Sequence, residues 1–200
     1  MELPIHLNMV MDNEIYVPDM FIPSYVALLN HHYGSKKNYF YPVGVSLGQL
    51  DCLGMRNILD DATFPFHILL QAREHFVVCV VRKEVISDGR NGFQFNIYDP
   101  FYNDLYPTPN KEEPKSLKRL EEYKEVFTAI CKDTPYDWKA EMSFKQDPKG
   151  CDCIAIACLY AHHIMDVNFE KDVKVKPMLD SKDYRSLMIR KVNEMFNSLG

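Results

Sequence analysis

No run of lysine or arginine longer than a pair such as Lys36–Lys37 occurs in the 200 residues, and the formal charge is −5. Nucleic acids and anionic membranes are bound through a concentrated basic footprint, so neither is expected as a partner, and a mildly acidic surface suits a basic or neutral protein better. No apolar stretch approaches the ~18 residues that span a bilayer. The opening, MELPIHLNMVMD, carries neither a basic leader nor an uninterrupted apolar core, which gives the expectation of an unsecreted, intracellular protein of the cytoplasm or nucleus. Six cysteines, at 52, 79, 131, 151, 153 and 158, are too sparse for a disulfide framework and lie mostly in apolar segments, so they read as reduced thiols. Internal repeats, low-complexity tracts and an interdomain linker are also lacking. What is present, 46% hydrophobic and 26% charged residues, fits a single domain over residues 1–200 that buries about 70% of its unfolded surface.

The stretch KQDPKGCDCIAIACLYAHHIM, residues 145–165, joins a polar turn to a segment that is apolar nearly all round. A helix of that kind belongs at the centre of a domain. Asp152 stands where an N-cap carboxylate accepts a backbone N–H of the first turn, and Cys153 then becomes the first helical residue. Unpaired N–H groups and the helix dipole favour negative charge there, so the thiol is expected to ionise more easily than a free one. The competing reading is a small buried cysteine. Cys151 is the rival nucleophile, but it precedes the cap. A metal site from Cys151, Cys153, Cys158, His162 and His163 matches no common structural zinc spacing, and no metal or cofactor is expected; His162 and His163 are assigned to solvent or to the helix end.

Earlier in the chain, YVPDMFIPSYVALLNHHYG has Ile22, Tyr25, Val26 and Leu29 at helical spacing, with Pro23 confined to the first turn and Gly34 as a stop. Residues 41–54 read as loop with short extended pieces. They contain Gly44-Val45-Ser46-Leu47-Gly48, a literal G-x-S-x-G, but Pro42 before it and Gly48, Asp51 and Gly54 after it disfavour the strand and long helix that a nucleophile elbow needs. FHILLQ, HFVVCVV and FQFNIY, beginning at residues 66, 75 and 93, read as strands of an antiparallel sheet. His75, Val77, Cys79 and Val81 share one face of their strand, and Phe93, Phe95, Ile97 and Asp99 one face of theirs. His75 opens its strand and Asp99 closes its own, so a hairpin brings them to one end of the sheet. A helix capped by Ser116, a short segment holding Trp138, and a last amphipathic helix from Ser181 to Gly200 complete the reading.

Cys153, His75 and Asp99 supply the parts of a thiol hydrolase: a nucleophile, a base, and a carboxylate that orients the base. Gln146, just before the helix, can direct its amide toward a developing oxyanion together with a backbone N–H near Cys153. Taken singly, His75 reads as a strand-edge histidine and Asp99 as a turn former before Pro100. Their joint order carries the hypothesis.

In that order the sequence resembles the ubiquitin-like-protein-specific cysteine proteases, which include the SUMO proteases and, more distantly, the adenovirus protease. The matching residues are Tyr16-Val17-Pro18-Asp19 with Ile22, Tyr25, Leu28 and Leu29, then His75-Phe76, then Tyr98-Asp99, then Gln146, Gly150, Asp152 and Cys153, spread over about residues 14–196. Tyr16 and Phe76 stand where the family has tryptophans, Ile154 where it has a glycine, and Gln146 lies seven residues before the cysteine where six is commoner, which marks a divergent branch. The resemblance implies an α+β fold of papain-like type, with a central helix packed on an antiparallel-rich sheet. It implies a monomeric cysteine peptidase or isopeptidase that cuts after the C-terminal Gly-Gly of ubiquitin or a ubiquitin-like protein. His75, Asp99, Cys153 and Gln146 would be catalytic, and Tyr16, Asp19 and Phe76 would bind substrate. The alternatives are a modifier-binding module without turnover, a serine hydrolase using Ser46, and a viral or effector processing protease.

Overall fold

The computed structural model describes residues 21–34, 40–46, 52–72, 75–101, 115–144, 152–166, 169 and 181–198. In chain order the elements are α1 (Phe21–Tyr33), β1 (Phe40–Ser46), α2 (Cys52–Asp61), β2 (Phe66–Ala72), β3 (His75–Val85), β4 (Asn91–Asp99), α3 (Lys115–Cys131), β5 (Tyr136–Met142), α4 (Cys153–Met165) and α5 (Ser181–Asn197). The fold is mixed α+β. The five strands form one sheet in the order β1-β2-β3-β4-β5.

The middle of the sheet is antiparallel as expected, but both outer pairs, β1 with β2 and β4 with β5, are parallel. Each parallel pair is joined by a helical crossover, α2 or α3. The two crossovers step the same way across the sheet between strands of the same direction, so the preferred handedness puts both helices on one face. Met55 and Leu59 of α2 and Tyr123, Val126, Phe127 and Ile130 of α3 there pack on Phe66, Ile68 and Leu70 of β2, on Val77, Cys79 and Val81 of β3, and on Phe93, Phe95 and Ile97 of β4. Leu69, Phe76, Val78 and Val80 point the other way, against α1, α4 and α5. The period of two in β3 therefore divides the core into two layers.

Two segments differ from the sequence reading. Residues 41–54, read as loop with short extended pieces, hold most of the seven-residue strand β1 and the start of helix α2, and the Trp138 segment is the full strand β5. Asp137, Lys139 and Glu141 alternate along β5 with Tyr136, Trp138 and Ala140, of which Ala140 is buried and the two aromatic residues are partly buried against the α2/α3 layer. This is how a strand with one covered face reads. The β3–β4 turn is closed by the Gly89 N–H donating to the Ile86 carbonyl and the Ile86 N–H donating to the Arg90 carbonyl, with Gly89 at φ 83°, a left-handed conformation that glycine adopts without strain.

α4 has ten of its thirteen residues buried. β3 lies against it, with α1 and α5 beside it. His162 lies in the last turn, at the helix end, but it is fully buried rather than at solvent, and its Nδ1 accepts the Tyr25 hydroxyl at 3.1 Å. The less covered side of the helix is taken by Tyr160, His163 and Ile164, and His162 faces the packed side. Burial holds its pKa down to about 4. Among the described residues no helix is long and apolar enough to cross a membrane.

Two outcomes follow for stability. A depressed histidine pKa means that the unfolded chain binds the proton first, so stability is full above about pH 6.5 and is lost as pH falls toward 4, by up to about 3 kcal/mol for His162. His67, also held down to about 4 by burial, acts with the same sign. Denaturant unfolding between pH 7 and 4 is expected to show this slope and His162→Gln to flatten it; an unchanged slope in the variant would assign the loss to other groups. Gly92→Ala would bring a Cβ to 2.3 Å from the Pro135 carbonyl oxygen, which is backbone. The thermal midpoint should drop, for a cost of about 1–3 kcal/mol.

Candidate active site

The register of β3 and β4 pairs Val78 with Tyr98, which brings the opening residue of β3 and the closing residue of β4 to one end of the sheet. There the His75 Nε2–H donates to Asp99 Oδ1 at 2.9 Å. His75 is 5% exposed and Asp99 is fully buried. Asp99 accepts two more bonds, from the Phe101 backbone N–H to Oδ1 at 2.8 Å and from the Tyr123 hydroxyl to Oδ2 at 2.9 Å. A carboxylate removed from water needs several such donors, and here they come from the strand end, the turn after it and α3. The Phe101 ring lies against the imidazole at a centroid distance of 5.1 Å. With Nε2 committed to Asp99, Nδ1 is the basic nitrogen of the neutral ring.

Cys153 is the first residue of α4, as its position in the sequence predicts, and is 5% exposed. The Phe76 backbone N–H donates to its sulfur. That N–H belongs to the peptide bond that joins Phe76 to His75, so the thiol abuts the backbone of the histidine strand. The Phe76 side chain is buried in the layer formed by α1, α4 and α5, so in this arrangement its backbone meets the thiol and its ring fills the core. Tyr16, Asp19, Gln146 and the rival Cys151 lie outside the described residues.

Two electrostatic expectations are corrected. Asp152 does not cap α4 with its side chain: it has φ −105° and ψ 11°, and only its carbonyl begins the helix, accepting the Ile156 N–H at 2.9 Å. Its carboxylate instead accepts Arg185 Nε–H at 2.7 Å, with both residues 1% exposed, because a buried guanidinium keeps its charge and needs an anion. The Cys153 thiol is also not eased toward ionisation. Burial pushes its pKa up, against the opposing backbone N–H groups of Phe76, Ile154 and Cys153, and the neighbouring Asp152 charge pushes it up further. Desolvation here outweighs the favourable field of the helix start.

Ser46 is still inside the β1–β2 ladder, its Cα paired with that of Gln71, whereas an elbow serine stands in the turn beyond its strand. Of the cysteines and histidines weighed for metal, Cys158 is fully buried and His162 is committed to Tyr25.

Tyr123, Phe101 and Arg185 are the site neighbours that sequence reasoning missed. Tyr123 follows Leu120 by three residues and precedes Phe127 by four, so it was legible as a core position, but its hydroxyl partner lies 24 residues away. Tyr123→Phe keeps the ring and removes one of the donors to Asp99. It is expected to reduce stability by about 1–2 kcal/mol and to slow alkylation of Cys153 near neutral pH severalfold. A loss of thermal stability with an unchanged alkylation profile would make Tyr123 a core residue only.

No protein-family model matches the chain, and no curated protein matches it. A solved structure described as the crystal structure of the de-sumoylating protease is similar to it at 10% sequence identity with a TM-score of 0.44, over 96% of this chain and 86% of that one.

Proposed function

We propose that this chain is a cysteine peptidase or isopeptidase with Cys153 as nucleophile, His75 as base and Asp99 as the carboxylate that orients it. The observation that carries the reading is the His75–Asp99 hydrogen bond at the end of the sheet, with the thiol of Cys153 taking the N–H of the very next residue, Phe76. In this chemistry His75 Nδ1 takes the thiol proton as sulfur attacks the substrate carbonyl. The resulting imidazolium is held by Asp99 and returns that proton to the leaving amine, which leaves a thioester. Water, deprotonated by His75, then attacks the thioester carbonyl and releases the carboxylic acid product and the thiol. Gln146 would supply an oxyanion donor beside the backbone N–H groups at the head of α4. No cofactor enters the scheme.

The substrate class rests on the ordered motifs that resemble those of the ubiquitin-like-protein proteases. The proposed substrate is the C-terminal Gly-Gly of ubiquitin or of a ubiquitin-like protein, free or conjugated, with Tyr16 and Asp19 around the tail; the Phe76 ring, expected there from the resemblance, is in the core instead. The proposed unit is a single catalytic domain over residues 1–200, working as a monomer inside the cell. A second reading, a modifier-binding module without turnover, is favoured by one observation, the burial that pushes the thiol pKa up.

A panel of C-terminal electrophilic ubiquitin and ubiquitin-like probes, with the adduct mapped by mass spectrometry, separates the two. An adduct on Cys153 is expected, abolished in Cys153→Ala and slowed by ten-fold or more in Asp99→Asn, which keeps the shape but weakens imidazolium orientation. An adduct on Cys151, or tight binding with no adduct, would overturn the catalytic assignment.

A further inference from the structure

Asp152 and Cys153 are adjacent in the chain, and both are buried. A carboxylate so close to a thiol opposes formation of a second negative charge, and this opposition is strongest where water is excluded. A nucleophilic thiol is therefore badly served by the residue before it unless that charge is neutralised. The carboxylate is turned into a bond with Arg185 Nε at 2.7 Å, and Arg185, from the first turns of α5, is itself 1% exposed. We propose that Arg185 is a positioning residue for the thiol: its guanidinium neutralises Asp152, so that a thiolate can form at the head of α4. This rests on the reading of Cys153 as the nucleophile and adds to it a group from the last helix, 33 residues away.

Among the described residues, Asp152 itself and Cys158 come from the start and body of α4, the Phe76 backbone N–H from β3, and Arg185 and Tyr184 from α5, the Tyr184 phenol being held up by burial and, second, by Asp152. Tyr25 of α1 faces Cys158. Of these, the guanidinium is the one group that stays cationic at every working pH.

A purely structural role, α5 fastened to α4 by a buried ion pair, predicts lost stability when either partner is removed. The electrostatic role predicts opposite signs at the thiol. The pKa of Cys153 is read in the full chain from iodoacetamide alkylation rate against pH, with the adduct located by mass spectrometry and folding checked by thermal unfolding. Asp152→Asn is expected to lower it by about one unit or more and Arg185→Met to raise it by about as much, which leaves roughly tenfold less thiolate at neutral pH. Asp152→Asn with Arg185→Met should return it near the wild-type value. Shifts of the same sign, or no shift with only a lower midpoint, would overturn the proposal. If Arg185→Met alone fails to fold, Asp152→Asn is compared with the double variant, where no carboxylate is left needing a partner; the double variant must have the higher thiol pKa, and equality overturns the proposal. The peptidase reading fails separately, if wild-type Cys153 takes no ubiquitin-like probe while the alkylation shifts keep their signs.

Discussion

Helix α4 has no polar face, and that constraint organises the rest. With ten of its thirteen residues buried, it is stable only when enclosed, and the sheet strand β3 and the helices α1 and α5 provide the enclosure. Each large apolar side chain so covered contributes about 1.5–3 kcal/mol, against about 1 kcal/mol for an ordinary hydrogen bond. Burial therefore decides where α4 lies, and the polar contacts at its head are arranged around that position. Cys153 is fixed relative to β3 as a consequence, and β3 begins with His75.

Two buried acids flank this arrangement and are satisfied in different ways. Asp99 collects neutral or imidazole donors from three places, His75, the Phe101 backbone and Tyr123 of α3, which together aim one oxygen at the imidazole. Asp152 is held by a permanent cation from α5. In the proposed roles, the first arrangement would leave a carboxylate able to stabilise an imidazolium, and the second would offset a charge that opposes the thiolate. α3 comes from the layer on one face of the sheet and α5 from the layer on the other, so both core layers send a polar side chain toward one end of β3.

Much of this was legible in the sequence because the signals were periodic. FHILLQ, HFVVCVV and FQFNIY alternate or run apolar over strand length, and because His75 opens its strand and Asp99 closes its own, an antiparallel hairpin brings them to one end of the sheet. β1 was hidden by Pro42 and Gly44, which weaken a strand pattern but are tolerated at a sheet edge, and β5 by its lack of β-branched residues, although its charged residues alternate cleanly. The polar partners were not legible. Arg185 precedes Met188 by three residues and Val192 by seven, which borders the inward face of α5, but an arginine there reads as solvent-facing until a buried acid 33 residues away is seen to need it. Asp152 misled for the complementary reason: a residue type that caps helices in isolation was taken by a stronger charged partner.

The raised pKa of the thiol bears on how the proposed chemistry would run. If Cys153 were easily ionised, a thiolate–imidazolium pair would stand ready before substrate arrives. Burial works against that, and the N–H groups of Phe76, Ile154 and Cys153 only partly offset it. In the proposed chemistry a pKa raised in this way would favour a protonated resting thiol, and His75 would act as a base at the moment of attack, when negative charge passes from sulfur to the carbonyl oxygen. Under those conditions the groups that matter most are the ones that stabilise the imidazolium as it forms. Asp99, anchored by the Phe101 N–H and the Tyr123 hydroxyl, would be held in place for that. In the proposed chemistry a desolvated thiol and a well-anchored carboxylate would work together: the first would withhold charge until attack, and the second would make its transfer to the histidine favourable.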